Sequence, residues 1–236
     1  MASPKDRKHT FDMSLPASPP PTPHAWPNGS RGRLIQSALL TSFKSLKQQP
    51  FPLMVAQFGD PLVTHRGALQ LGAQATDKPS CDLWAKGLWS GTTLSRAGRT
   101  GLIGMASLLD IRDAPFIGTY AAQVIIHAPE KLLDELTHAP ASECATITMS
   151  DNQNEWRVRL ERSPVQVRGA GEVDAYRLVA EKGAEPTIWM ARLRHGPYVM
   201  EVRFADSEVK EQTVAVPVMF QDLLDHSFAR LRKKLP

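Results

Sequence analysis

The chain has 236 residues, 42% of them hydrophobic, which is ample for the core of one sizeable domain. Its 28 basic residues against 24 acidic ones leave a formal charge of +4, an excess spread too thinly to read as a nucleic-acid footprint. No run reaches the ~18 apolar residues that a membrane-spanning helix requires, which excludes such a helix.

Residues 1–32 form a compositional unit of their own. Pro4, Pro16, Pro19, Pro20, Pro21, Pro23 and Pro27 lack backbone donors, and the Ser, Thr and Lys between them offer little to a core. The segment reads as a tail or tether with polyproline II character, in which Trp26 is the one residue that asks for a surface to pack on. Nothing apolar of export-signal length follows Lys5, Arg7 and Lys8. The expectation is therefore conditional: extracytoplasmic if an export segment was removed, otherwise cytoplasmic.

Residues 33–236 read as a single domain. Leu34, Ile35, Ala38, Leu39, Phe43 and Leu46 recur at helical spacing, predicting a helix over 33–48 that stops at Gln49-Pro50. The stretch to Lys78 is irregular, and a short amphipathic helix over 81–89 follows, with Ser80 as its N-cap and Gly91 beyond its end. Residues 101–109 and 119–127 are apolar runs bounded by turn residues, so both are strand candidates. Leu132, Leu133 and Leu136 share one face of a helix within 129–141, which Cys144 closes.

Beyond Cys144 the period drops to two. Ile147 and Met149 alternate with Thr146 and Thr148; Trp156, Val158 and Leu160 with Arg157, Arg159 and Glu161; Tyr198, Met200, Val202 and Phe204 with Val199, Glu201 and Arg203. Such alternation predicts an antiparallel sheet with one solvated face, and His195-Gly196-Pro197 marks a hairpin within it. Phe220, Leu223, Leu224, Phe228 and Leu231 then form the apolar stripe of a closing helix over 217–231. The fold class is α+β: an antiparallel β-sheet packed against several helices, preceded by a disordered or extended N-terminal arm.

The two cysteines leave two readings open. An even count suits a Cys81–Cys144 disulfide, whose loop of about sixty residues is worth about 4 kcal/mol in the chain-entropy view. The other reading is a pair of buried thiols acting as small hydrophobes.

The order of these elements carries a resemblance. Leu39-Leu40-Thr41, the helix bearing Cys81-Asp82-Leu83-Trp84, the turn at Glu143-Cys144, the strands running from Trp189 through His195-Gly196-Pro197 to Met200, and the last amphipathic helix resemble the extracytoplasmic sensor domain of mycobacterial serine/threonine receptor kinases and similar actinobacterial lipoproteins. The likeness covers residues 35–233 by pattern and cysteine placement. It implies an antiparallel sheet backed by helices, stapled by disulfides and presenting a cleft to an extracellular ligand. The chain departs from that pattern in having one possible cysteine pair and in lacking an export or lipobox segment.

Motifs of covalent chemistry are missing from the sequence. Gly87-Leu88-Trp89-Ser90-Gly91 sets its serine one position too late for a nucleophile elbow, and Gly98, Gly101 and Gly104 match no nucleotide loop. The seven histidines show no metal-ligand spacing, so no metal and no cofactor is expected. Candidate catalytic groups are His127, at the end of an apolar strand, and Asp174 with Tyr176, at the start of another. A candidate ligand pocket joins Trp156, Trp189 and Tyr198, with Arg192 and Arg194 at its rim beside Arg157 and Arg159; core packing and a solvated sheet face account for the same residues.

Three functions fit these observations. The first is a ligand-binding or sensor-like domain without covalent chemistry. The second is a cofactor-independent enzyme, a cyclase or isomerase acting on an apolar small molecule in a sheet-helix pocket. The third is an assembly component that docks through its N-terminal arm. The expected partner is an apolar small molecule or a protein, not nucleic acid.

Overall fold

A computed structural model describes residues 29–44, 46–48, 54–57, 75–88, 101–113, 117–150, 155–171, 173–181, 187–206 and 215–236. The proline-rich residues 1–28 with Trp26, most of the irregular stretch 49–74, and Trp89 with Gly91 lie outside them.

Helix α1 (Gly29–Ala38) leads into short strands β1 (Ser42–Phe43), β2 (Leu46–Gln48), β3 (Met54–Gln57) and β4 (Ala75–Thr76). A 3-10 turn (Pro79–Cys81) runs into α2 (Asp82–Ala85), followed by the long strands β5 (Leu102–Asp113) and β6 (Ile117–His127). Then come α3 (Glu130–Thr137), a second 3-10 turn (Ser142–Ala145), and β7 (Thr146–Ser150), β8 (Glu155–Arg162), β9 (Val173–Ala180), β10 (Ile188–His195) and β11 (Tyr198–Asp206). Helix α4 (Ala215–Lys234) ends the fold.

The α+β architecture expected from the sequence is present. All described pairings are antiparallel, in the order β1-β2-β5-β6-β11-β10-β9-β8-β7-β4 with β3 also on β5. The seven strands from β5 to β11 form the body of the sheet. Gly196, at φ +53°, is the first residue of the two-residue β10–β11 loop, where a primed turn needs the conformation that glycine adopts freely.

Helices cover both faces of the central strands. On one, α1 and α4, with Leu39 just after α1, bury Ile35, Phe220, Leu224 and Phe228 against Ile125, Trp189, Met200, Val202 and Phe204. Gly104 lets α1 settle onto β5, since a Cβ there would run into Ile35. On the other face, α2 and α3 lie over Ile103, Val124, Ile126 and Val199, and a neighbouring cluster packs Trp84 against Tyr176 and Met190. Burial on both sides is why 102–106 and 121–126 are apolar throughout except at Gln123, which is buried and bonded.

Four sequence expectations change. The helix over 33–48 is a helix over 29–38: the Leu40 amide donates to Gln123 Oε1 (2.7 Å), and the chain turns through Lys44, at φ +51°, into a strand pair. The helix over 81–89 is a 3-10 turn plus one α-turn, and Ser80 does not cap it; its hydroxyl donates to Glu143 Oε1 (2.6 Å). The helix over 129–141 ends at Thr137, where 138–141 extend toward Pro140, so Cys144 sits in a separate 3-10 turn. The solvated face is confined to the β8 end, where Arg157 and Arg159 are exposed; on β11, Glu201 and Arg203 are buried beneath the second helical layer.

Candidate functional site

Cross-strand register assembles the most unusual feature of the interior. With the loop at Gly196-Pro197, Arg192 falls opposite Glu201, and Arg203 lies two residues further along the same face of β11. Arg192 Nε donates to Glu201 Oε2 (2.7 Å) and Arg203 Nε donates to Glu201 Oε1 (2.9 Å). Arg192 and Glu201 are each 1% exposed. Two guanidiniums around one carboxylate leave a buried net positive charge, which is tolerable because backbone carbonyls take up the remaining donors. Arg192 donates to the carbonyls of Leu136 (3.3 Å) and Leu83, and Arg203 to that of Trp84 (3.4 Å).

These bonds reach out of the sheet into the helical layer. Leu83 and Trp84 belong to α2 and Leu136 to α3, while the Leu88 amide donates to both Glu201 oxygens (3.3 Å). The Arg192 guanidinium also lies over the Trp84 ring, 4.0 Å from its centroid. Burial alone would push the Glu201 carboxyl up; Arg203, Arg192 and the Leu88 amide hold it below the usual range. Gly87 completes the seat at φ +81°, where a Cβ would meet Arg203 and Glu201.

Above this network, α2 and α3 enclose a groove of about 270 Å³. One wall is Pro79, Ser80, Asp82, Leu83 and Trp84; the other is Leu132, Glu135, Leu136, His138 and the extended 139–141 segment. Both walls are pinned. Cys81 and Cys144 form a disulfide with a Cα–Cα distance of 5.5 Å, joining the two 3-10 turns beside the groove. Asp82 pairs with Lys86 (2.9 Å) and accepts from Thr76, and the sheet edge next to it is closed by Asp77, which accepts from the Thr148 amide (2.9 Å). The floor is apolar, and Ser80, Glu135 and His138 supply a polar rim, the composition of a site for a small amphipathic molecule.

The residues singled out from the sequence distribute as follows. His127, half-buried, packs at a tilt against Tyr198 (5.3 Å between centroids) on the α1/α4 side, and burial, reinforced by Arg31, lowers its pKa. Tyr176 lies on the opposite side edge-on to Trp84 (4.8 Å), and burial, with Asp174 nearby, raises its pKa. Asp174, with Arg192 opposite in register, is 4.0 Å from Arg162. His127 is thus separated by the sheet from the other two. Of the five pocket candidates, Trp189 packs on Phe220 (5.9 Å) and Tyr198 on His127, both on the α4 side, whereas Trp156 adjoins the disulfide cluster across the sheet. Arg192 is the buried centre described above, and Arg194 pairs with Glu130 (3.2 Å) and Asp134 on α3. The five do not line one concavity.

Among the described residues, one group of side chains is placed to share a metal ion, Cys81, Glu143 and Cys144, and its sulfurs are bonded to each other. Amphipathic spacing places Leu83 and Leu132 on short helices but does not reveal that the two helices face each other across a groove, and Glu135 and His138 carry no sequence signal for its rim. The buried ion network was legible in principle: counting back from the 196–197 loop sets Arg192 opposite Glu201.

No protein-family model matches the chain, and no curated protein matches it. In structure it is similar to the extracellular domain of PknH from Mycobacterium tuberculosis, at 14% identity and a TM-score of 0.49 over 85% of this chain and 93% of that one. It is also similar to an uncharacterised protein of Mycobacterium smegmatis, an Rv0999 ortholog, at 12% identity and a TM-score of 0.47 over 84% and 96%.

Proposed function

We propose that the chain is a ligand-binding, sensor-like domain that works outside the cytoplasm, without covalent chemistry, and that the groove between α2 and α3 is its binding site. The observation that carries this reading is the way the groove is held. Its walls are joined by a disulfide on one side and fixed from below by Arg192, Glu201 and Arg203. A cleft whose walls are pinned loses little freedom when occupied, so modest contacts suffice for binding. Leu83, Leu132 and Leu136 favour an apolar body, a small molecule or one side chain of a protein partner, while Glu135, His138 and Ser80 favour a polar tip. The buried disulfide supports an oxidising compartment. For an enzyme, His127, Asp174 and Tyr176 offer no common centre.

The test is a ligand-observed saturation-transfer screen of small apolar molecules against the chain and against Leu132→Arg, whose longer charged side chain occupies a half-buried wall position. The reading predicts hits that bind the native chain and lose their signal with the variant. Hits that bind both equally would remove the groove as the site.

A further inference from the structure

The formal charge of +4 includes a cluster of exposed cations at one end of the α1/α4 layer. Helix α1 starts where α4 ends: beyond the far end of α1, Lys44 reaches Asp222 (2.9 Å) and Phe43 lies against His226 (6.2 Å between centroids). At the near end His127 lies in the field of Arg31 and packs against Tyr198, whose hairpin neighbour His195 bonds the Leu235 carbonyl (3.0 Å). This arrangement brings Arg31 and Arg33 of α1 to the same end of the layer as Arg232 and Lys233 of α4. Arg168 joins them, lining one depression with Arg232, Lys233 and Asp225, and Arg232 is laid so closely over Gly169, at φ +77°, that a Cβ there would meet it. All five cations are exposed, and among the described residues none has an ion pair. Across the sheet the charges of α3 are matched instead: Arg194 pairs with Glu130 (3.2 Å) and Asp134, and Lys131 offsets Glu135 in composition.

Helix stability explains only two of the five cations. Arg232 and Lys233 suit the negative end of the α4 dipole, but Arg31 stands in the first turn of α1, where a cation is unfavourable and no acid offsets it. Leu34, 44% exposed, projects from α1 beside these arginines. Unpaired cations with an exposed apolar side chain among them match a surface of anionic headgroups over an apolar layer; a soluble polyanion would satisfy the cations alone.

We propose that the α1/α4 end is a docking face for anionic lipid, which would hold the α2–α3 groove away from the membrane. The proposal does not depend on the groove having a ligand. It is tested by co-sedimentation of the full chain with phosphatidylcholine vesicles containing about 30% phosphatidylglycerol, and with pure phosphatidylcholine. The expected result is binding to the anionic vesicles only, lost in high salt, and weakened roughly fivefold per neutralised cation, so about 25-fold for Arg31→Gln with Arg33→Gln and again for Arg232→Gln with Lys233→Gln. Lys131→Gln, on α3, should change nothing. Equal binding to both vesicle types, or anionic binding untouched by either double variant, would overturn the proposal. Capture by heparin with the same dependence on these cations, but no vesicle binding, would replace the lipid with a soluble polyanion. Thermal melts of each variant exclude loss of fold as the cause.

Discussion

Replacing Glu201 by glutamine tests the physics of the interior. The amide keeps the shape and some hydrogen bonds but removes the one negative charge between Arg192 and Arg203, which are 1% and 5% exposed. Breaking a buried pair from one side costs about 3–5 kcal/mol because the partner stays charged and unsolvated; here two partners are left. Against a typical domain stability of about 5–15 kcal/mol, that is a loss visible in any equilibrium measurement. Arg203→Met gives the contrast: Arg192 and Glu201 still neutralise each other, so the loss should be clearly smaller. Arg192→Met should fall between the two, since it also frees the carbonyls of Leu83 and Leu136. Urea unfolding of the three variants, read as midpoint and slope, gives the order. A loss below about 1 kcal/mol for Glu201→Gln, or a larger one for Arg203→Met, would refute the view that the carboxylate is the keystone.

Three further outcomes follow from the geometry. Reducing the Cys81–Cys144 bond, or substituting both residues by serine, should lower stability by about 4 kcal/mol in the chain-entropy model for a loop of this length, measured by denaturant titration with and without reductant. Gly87→Ala should cost at least about 1–3 kcal/mol, because its φ of +81° disfavours a side chain and the new Cβ meets the buried ions; alanine at Gly171, with nothing around it, is the control. His127 should titrate below the ordinary histidine value of about 6.5 in an NMR pH series. Its neutral form is the one the fold prefers, so its contribution is complete above that value and declines as pH falls through it, when the unfolded chain takes the proton first; His127→Gln should flatten stability over that window.

The closing helix and the hairpin were legible because their signals are local and single-valued. Phe220, Leu223, Leu224, Phe228 and Leu231 can share a face only on a helix, and Gly196-Pro197 between alternating runs admits little but a turn. The first helix was overextended because Leu39, Phe43 and Leu46 continue the helical spacing by chance. What ends it is a bond from Leu40 to Gln123, eighty-three residues away, which no local window contains. The charges of β11 were assigned to solvent for a related reason: alternation records which residues share a face, not whether another layer covers it. Glu201 and Arg203 alternate as solvated residues would, yet α2 and α3 seal them in, and only the register with Arg192 betrays the pairing. The cysteine count alone allows two readings of Cys81 and Cys144; the meeting of the two 3-10 turns, a contact between segments 63 residues apart, decides for the disulfide.

The most direct test of the central claim is a map of backbone amide shifts in the oxidised chain as the best small-molecule hit is titrated in. The account predicts shifts concentrated at residues 79–84 and 132–141, the two walls of the groove, saturating together with a single dissociation constant. Shifts centred on His127 and Tyr198, or along α4, with the groove walls unmoved, would contradict it.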